Sequence, residues 1–432
     1  MVEHFFHTSI THRIQNVVME DRAAVSWLHR RAGFGLGLPD LEDAVSRGSA
    51  AEIDRLLSPD AMQAAVVADP WNDRDLPLQR DRAVAVKAIT TWLDHMVVTQ
   101  TPLVDRIAWF WHGHFVSALD KVKVARLMVD QIRLFRGDGL GSFAALLRAV
   151  TIDPAMLLYL DGTDSTGDSP NENYGREVLE LFTLGVGNYA ESDVKNGSVA
   201  LTGWKVRPAL GIAEFVPRRH DDTARRYLGM DGVHDVDTVI GAIMRQPALP
   251  TFVASVVAAE LLGTNDSQVV APLATTFAAS GFDIGELVRA TVQAGLAGHS
   301  QPMVLAPVPW LVMAQRVTGG TIGKGVALTG LRTAGQLPMS PPNVAGWPGG
   351  AAWFGSSTVV ARASLAAAVA ASSPADNAAR SAADGDDLDR LAAALGLVAP
   401  TFEAASKSAL MAAPPGAERL ALALCTPEFV LA

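Results

Sequence analysis

The sequence predicts a mostly α-helical protein, with one large multi-helix domain and at most a minor β-hairpin. Apolar residues recur at intervals of three and four along most of the 432-residue chain, and this spacing places them on one face of a helix. Proline, glycine and short polar residues stand where these segments begin and end. Alternating strand–helix units, which would predict a doubly wound parallel sheet, do not occur in the sequence.

The helices of the first half follow from these signals in chain order. Residues 82–98 are the clearest case, since Ile89, Trp92 and Met96 form one apolar stripe. The Asp153-Pro154 pair is an N-cap with proline at the first helical position. The predicted helices cover residues 21–31, 38–47, 50–57, 82–98, a segment opened by Pro102, 121–135, 142–150 and 154–160. Polar loops are predicted over 66–80 and 161–169.

The second half continues the helical pattern around one stretch of β-type residues. Residues 204–206 and 214–216 predict a small hairpin. Residues 336–350 are dense in proline and glycine and predict a long irregular loop. The predicted helices cover residues 236–244, 250–262, 284–294, 309–317, 324–334, 357–371, 387–397 and 417–424.

These elements divide the chain into four parts. Residues 1–20 show no strong period and predict a loosely ordered lead-in. Residues 21–371 form the helical core domain. Residues 372–386 are rich in Ala, Ser and Asp, which predicts a low-complexity mobile insertion. Residues 387–432 are predicted to be helices that pack back on the core.

Composition excludes several classes of protein. The formal net charge of −10 argues against a nucleic-acid partner, because phosphate contacts require clustered Lys and Arg. No uninterrupted apolar run reaches the roughly 18 residues of a membrane span. A single cysteine, Cys425, rules out an internal disulfide and a cysteine zinc cluster. The first residues lack an apolar signal core, so we expect a cytoplasmic protein.

The densest run of polar side chains lies in a predicted helix after Ser169. Ser169 is the expected N-cap, Pro170 the first helical residue and Gly185 the C-terminal cap. One face is apolar, with Val178 and Phe182. The opposite face carries Asn173, Arg176, Glu177 and Glu180.

Two interpretations fit this polar face. Glu172–Arg176 and Arg176–Glu180 are four residues apart, which is typical of a solvated, salt-bridged surface. Alternatively, Glu177 and Glu180 present two carboxylates to one pocket, where they could ligate a metal or divide acid and base roles.

His112 and His114 flank Gly113 in an aromatic segment. Two histidines at this spacing can chelate one metal ion if the backbone is extended, because residues i and i+2 then share a face. In a continuous helix the two rings point about 200° apart and cannot share an ion. The alternative is that both rings form hydrogen bonds within an aromatic core.

Several common catalytic and nucleotide-binding motifs are missing from the sequence. Residues 319–324 are one residue short of a P-loop, and neither G-x-S-x-G nor H-E-x-x-H occurs. In the 336–350 loop, Asn343 and Trp347 could line the wall of a pocket with a rigid aromatic, or the loop could pack across helix ends.

The motifs together resemble a known family, the bacterial domain of unknown function 1800 (DUF1800). The resemblance covers roughly residues 25–430. It is carried by segments 27–35 (WLHRRAGFG), 110–115 (FWHGHF), 153–157 (DPAML), 170–187, 201–204 (LTGW), 220–221 (HD) and 336–350, with its PPNVAGWPGG ending.

The resemblance implies little about activity, because the function of the family is unknown. It implies a sulfatase-like protein, of the domain of unknown function 1501 family, encoded nearby. Many relatives carry export signals, and this chain departs from that habit. It also has Asn196-Gly197 where relatives tend to have helix formers, which predicts a break within 191–201.

Two hypotheses about function follow. The first is a metal-assisted hydrolase with a divalent metal. In it, His112 and His114 are ligands, Glu177 and Glu180 are further ligands or the general base, Arg176 and Asn173 orient the substrate, and Asn171, Glu172, Trp347 and Asn343 bind it. The second is a non-catalytic binding or accessory protein that acts with the sulfatase-like partner. The first requires an imidazole near a carboxylate in an open pocket; the second predicts that these groups are paired with Arg or backbone and closed to water.

Overall fold

Helices carry most of the chain in the computed structural model, which describes residues 19–432. The predicted α-helical fold class is confirmed. The first twelve helices are α1 Asp21–Arg31, α2 Leu38–Arg47, α3 Ser49–Leu56, α4 Pro59–Val67, α5 Arg82–Val98, α6 Pro102–His114, α7 Leu119–Val122, α8 Ala125–Asp138, α9 Phe143–Thr151, α10 Pro154–Tyr159, α11 Glu172–Glu180 and α12 Glu191–Ala200. The remaining twelve are α13 Val236–Ile243, α14 Ala248–Leu262, α15 Ser267–Ala279, α16 Ile284–Ala294, α17 Pro307–Thr318, α18 Lys324–Thr333, α19 Ser356–Ser372, α20 Ala378–Asp384, α21 Leu388–Ala394, α22 Ala404–Ala412, α23 Ala417–Ala423 and α24 Pro427–Val430.

Two small antiparallel hairpins interrupt the helices. Strands β1 (Trp204–Arg207) and β2 (Ile212–Phe215) form the predicted hairpin, with Trp204 opposite Phe215. Strands β3 (Arg225–Tyr227) and β4 (Met230–Val233) form a second one, which the sequence did not single out. Two-stranded sheets are marginal in isolation, so both depend on the helices beneath them.

The second hairpin explains an unexpected glycine in α12. The predicted break at Asn196-Gly197 is wrong, because α12 is continuous from Glu191 to Ala200. A Cβ atom at position 197 would lie 2.6 Å from the ring of Tyr227, which is fully buried. Gly197 therefore gives β3 room to pack on the helix.

Helix α6 joins two large hydrophobic clusters. Every residue from Pro102 to His112 is buried, as expected for a helix that is surrounded by other elements. Trp111 packs in a cluster with residues of α9, α11 and α14 to α16. Trp109 packs in the other cluster, with residues of α5, α8, α17 and α19 to α23. The fold is thus organised around α6, and side chains near its C-terminal end reach both halves of the core.

Buried and half-buried arginines close the ends of several helices. Arg30 Nη2 donates to the carbonyl oxygens of Phe429 (2.8 Å) and Leu431 (3.0 Å), at the end of α24. Arg31 Nη1 donates to Leu261 O (3.3 Å) near the end of α14. Arg316 Nη1 donates to Val97 O (2.8 Å) at the end of α5. The last carbonyls of a helix lack partners and carry partial negative charge, so these cations stabilise helix ends.

Several segment boundaries differ from prediction. Part of the predicted insertion at 372–386 is helix α20, and its alanines Ala379, Ala382 and Ala383 are buried in the core. The N-cap of α11 is Asn171 instead of Ser169, and the helix ends at Glu180. The predicted lead-in over residues 1–20 lies outside the described residues except for its last two.

Within residues 19–432, no single helix is both long and apolar enough to cross a bilayer. Helices α13 and α14 together have the length and apolar composition of a span, but they meet at a bend of 81°.

Candidate functional site

A cavity of about 730 Å³ opens between α6, α14 and residues 347–354, which include the end of the Pro- and Gly-rich loop. Its volume is within the range of small-molecule sites. Its lining combines aromatic and aliphatic side chains with one ion pair. The residues discussed below are Arg106, Trp109, Phe110 and His114 of α6, Glu260 of α14, and Trp347, Trp353 and Phe354.

An aromatic stack forms one wall of the cavity. The rings of Trp109 and Trp347 are nearly parallel, with an interplanar angle of 14° and a centroid distance of 5.1 Å. Phe110 stacks on His114 in the same way, at 5.8 Å and 17°. Offset stacking of this kind adds to the free energy of burial. This wall is therefore aromatic, and the stacking holds its rings in place.

A glycine allows the Trp347 segment to approach α6. Gly346 has a φ of +82°, which favours glycine. A Cβ atom at this position would also overlap the carbonyl oxygen of Gly113. Gly113 itself faces the Trp347 ring, 3.7 Å from where its own Cβ would lie. The stack thus depends on close contact between the segment and the helix backbone.

The polar residues that line the cavity include the ion pair between Arg106 and Glu260; the others are His114, Thr264, Asn265 and Gln336. Arg106 Nη1 lies 2.7 Å from Glu260 Oε1; the arginine is 3 % exposed and the glutamate 31 %. Arg106 Nε also donates to Arg31 O at 3.3 Å. Burial, and then the nearby Arg30 and Arg106, lower the pKa of Arg31 to about 9. The buried guanidinium of Arg106 therefore lies beside the cavity, with the Glu260 carboxylate as its counter-ion.

His112 is part of the core. Its Nε2 accepts a hydrogen bond from the backbone N–H of Met339 (3.0 Å), and its ring packs edge-on against Trp92, Trp109 and Trp347. Since Nε2 accepts, the ring proton is on Nδ1, which has no hydrogen-bond partner among the described residues. Burial lowers the pKa of His112 to about 3, so the ring is neutral.

His114 lines the cavity but is tied to the central helix. Its Nε2 donates to Phe182 O (3.1 Å), just beyond α11. Burial lowers the pKa of His114 to about 4, against the opposing effect of this hydrogen bond. Helix α6 is continuous through both histidines, so the extended backbone on which joint chelation depends is not found here. Within residues 19–432, no three His, Cys, Asp or Glu residues are placed to hold a metal ion.

Glu177 and Glu180 lie on the half-buried face of α11. Glu180 Oε2 accepts a hydrogen bond from the hydroxyl of Tyr189 at 2.6 Å. Burial, and then the neighbouring Glu180, raise the pKa of Glu177. Arg176 does not bridge to Glu180 as the sequence suggested; it binds Glu191 at 2.7 Å and lies 3.6 Å from Glu172.

The three asparagines of the predicted site, which are Asn171 and Asn343 for substrate binding and Asn173 for orientation, organise loops and a helix cap. Asn171 Oδ1 accepts from Asn173 N (2.8 Å) and so caps α11. Asn173 Nδ2 donates to Asp161 Oδ2 (3.2 Å), which also binds Lys121. Asn343 Oδ1 accepts from Ala345 N (2.9 Å) in the turn before Trp347. Each of these contacts stabilises local structure.

The structure brings together only part of the predicted site. Of the ten predicted residues, Trp347 and His114 line the cavity, and the other eight lie elsewhere in the described structure. Sequence reasoning missed Arg106 and Glu260. A signal existed, because each is a charged residue within an apolar helix, and buried charges are rare unless they are paired.

Comparison with known families gives one match. A family model described as "Protein of unknown function (DUF1800)" matches residues 27–431. Neither the curated proteins nor the solved structures gave a match.

Proposed function

The chain belongs to the DUF1800 family, and from that premise we propose that it is a non-catalytic binding protein that holds a planar, largely apolar small molecule. The ligand occupies the cavity between α6, α14 and residues 346–354. The family description names no activity, so the proposal rests on the site. The parallel Trp109–Trp347 stack on the cavity wall is the observation that carries it.

The lining supports binding of an aromatic or similarly flat molecule. Small-molecule sites are mainly apolar, with a few polar groups that fix orientation. Here Trp109, Trp347 and Trp353 contribute apolar surface, and the Arg106–Glu260 pair is among the polar groups. Rigid aromatic side chains lose little conformational entropy on binding. Little of the contact free energy with a flat ligand is therefore offset by the ordering of these side chains.

The pairing of the predicted catalytic groups also supports a binding protein. His112 and His114 each have one ring nitrogen committed to the backbone. Arg176 forms a salt bridge with Glu191, and Glu180 accepts a hydrogen bond from the Tyr189 hydroxyl. The second sequence hypothesis expects pairing with Arg or backbone and closure to water. The two histidines have the backbone pairing, whereas Glu177 and Glu180 are half-exposed and do not meet this expectation. The sulfatase-like partner suggested by the family resemblance stays a prediction.

Hydrolysis at the acidic face of α11 is the second candidate. Glu177 and Glu180 are half-exposed, and the pKa of Glu177 is raised by burial and then by Glu180. A general acid requires a carboxyl that keeps its proton closer to neutral pH. Under this candidate, Glu177→Gln abolishes hydrolysis of a model ester or phosphoester and Glu191→Gln does not. Absence of hydrolysis in the wild-type protein across such substrates would remove it.

Ligand-dependent stabilisation tests the binding proposal. A neutral bicyclic aromatic such as quinoline or 2-quinolone should raise the melting temperature in a saturable way, because a ligand that binds only the folded state stabilises it. Trp347→Ala should remove the effect. Phe215→Ala, a half-exposed aromatic of the β1–β2 hairpin, is the matched control and should retain it. No shift with any planar probe would contradict the proposal.

A further inference from the structure

We propose that the ligand is an uncharged planar heterocycle with a lactam edge, meaning a ring carbonyl next to a ring N–H. Arg106 donates to the carbonyl and Glu260 accepts from the N–H. This inference rests on the binding function proposed above and adds the chemistry of the ligand's polar edge.

Arg106 has donors to spare at the cavity. It is 3 % exposed and lines the cavity wall. Its Nε–H is used by Arg31 O, and Nη1 is closed to solvent 2.7 Å from Glu260 Oε1, whereas Nη2 forms no hydrogen bond within residues 19–432. A guanidinium has five N–H donors. The N–H groups of Nη2 are therefore available to a ligand acceptor in the cavity.

Glu260 has acceptor capacity to spare beside it. It projects from α14 between apolar neighbours and is 31 % exposed at the cavity. An ionised carboxylate accepts about four hydrogen bonds, and the ion pair uses the Oε1 side. A ligand N–H next to the arginine-bound carbonyl would find its acceptor here.

The ion pair favours an uncharged ligand. An anion would compete with Glu260 for Arg106. A cation would compete with Arg106 for Glu260 and leave the buried guanidinium without its counter-ion, which is strongly unfavourable. A lactam presents one acceptor and one donor side by side, so it binds both partners and leaves the pair intact. Its ring is planar, so it can pack against the aromatic side chains that line the cavity.

Isothermal titration calorimetry of the full chain with four matched compounds tests which polar groups the ligand edge must carry. 2-Quinolone has the lactam, N-methyl-2-quinolone lacks its donor, quinoline lacks both the carbonyl and the N–H, and 2-naphthoate carries a charge. We expect 2-quinolone to bind most tightly and the N-methyl compound to bind about tenfold more weakly, the loss expected for one hydrogen bond to a charged group. Equal affinities for these two, or tightest binding of 2-naphthoate, would overturn the lactam assignment and leave the binding function standing. No binding by any of the four would overturn both.

A substitution at Glu260 distinguishes recognition of the ligand N–H from a merely structural role of this side chain. Glu260→Gln removes the anionic acceptor, so affinity for 2-quinolone should fall about tenfold, while affinity for N-methyl-2-quinolone should hardly change. A merely structural role for Glu260 would weaken both compounds equally and would contradict the proposal. Glu286→Gln, an exposed glutamate on α16, is the control. If Glu260→Gln does not fold, the four-compound series on the wild-type chain decides alone.

Discussion

Trp109 and Trp347 stack in parallel, with ring centroids 5.1 Å apart, although 238 positions separate them in the sequence. Trp109 belongs to the buried helix α6, and Trp347 belongs to an irregular segment rich in glycine and proline. The contact therefore fixes that segment against the centre of the fold. It also forms the cavity wall, so stability and binding are coupled through it.

Trp347→Ala should weaken both properties. The variant loses the contacts of a large, partly buried ring, so we expect a loss of about 2 kcal/mol in the free energy of unfolding. Urea denaturation measures this loss, and quinoline-dependent stabilisation measures binding. A variant that keeps full ligand stabilisation would show that the stack is not part of the binding wall.

Gly346→Ala should destabilise the protein more than Gly349→Ala. Position 346 has a φ of +82° and its Cβ would overlap the Gly113 carbonyl oxygen, so we expect a loss of about 2 kcal/mol or more. Gly349 has a φ of −119° and open space around its Cβ, so alanine there should change stability by less than about 0.5 kcal/mol. Equal losses in the two variants, measured by urea denaturation, would contradict this account of the loop.

Replacing one partner of the Arg106–Glu260 pair should lower the free energy of unfolding more than replacing both partners. Glu260→Leu leaves Arg106 buried without a counter-ion, and we expect a loss of about 2–4 kcal/mol. The double variant Arg106→Met with Glu260→Leu should recover a large part of that loss, because two apolar side chains replace the pair. Chemical denaturation of the wild type, both single variants and the double variant gives the coupling free energy. A coupling near zero would mean that the pair has little energetic role.

His112 should make the protein acid-sensitive. Its folded pKa of about 3, lowered by burial, is below the usual 6.5, so the unfolded chain takes up the proton first. Its contribution is fully present above pH 6.5 and is lost as pH falls toward the folded pKa, at most about 1.4 kcal/mol per pH unit. His112→Gln keeps an acceptor for Met339 N–H but cannot titrate. The stability of this variant should fall less steeply between pH 6.5 and 4.5; parallel curves would refute the assignment.

Asp153 should make the protein less stable as pH rises, which is opposite to the effect of His112. Burial is the main cause that raises its pKa to about 7, although Met156 N–H and Gln131 Nε2 donate to it. Its stabilising contribution is therefore full below the ordinary pKa of 3.8 and is lost as pH rises through 7. Asp153→Asn keeps the N-cap, and its amide can donate to Gln131 Oε1, which has no partner among the described residues.

We expect Asp153→Asn to be more stable than the wild type at pH 8 by roughly 1–3 kcal/mol, with the difference shrinking toward pH 4. Thermal denaturation at the two pH values measures this. Asp266→Asn, at the exposed N-cap of α15, controls for the change in capping chemistry. A variant that is less stable than the wild type at pH 8 would contradict the prediction.

Local signals in the sequence were sufficient for much of the fold. Helix α5 begins and ends at the predicted residues, because Asp81 caps it and its apolar stripe is regular. Helix α15 was not predicted, and it continues across Pro272, a residue that usually ends a helix. Helix α20 was taken for an insertion because its buried side chains are alanines, which carry little hydrophobic signal.

The candidate site was harder to predict because its parts are distant in sequence. In the sequence, Trp347 is compatible with a pocket wall and equally with a loop that packs across helix ends. The partnership of Arg106 with Glu260 depends on α6 packing against α14, and no local pattern encodes that packing. The clustered polar residues of α11 were conspicuous in sequence, yet most of them serve caps and surface ion pairs.

The contacts of Arg30 and Arg31 have a consequence for biosynthesis. Arg30 is made about 400 positions before its acceptors at Phe429 and Leu431, with separations of 399 and 401 residues. Nascent α1 therefore cannot settle into its final surroundings until Phe429 and Leu431 have been made. A chain interrupted before residue 429 would retain a buried guanidinium without these carbonyl acceptors. Such truncated products should consequently stay open and be degraded quickly, so maturation requires a chain that includes residues 429–431.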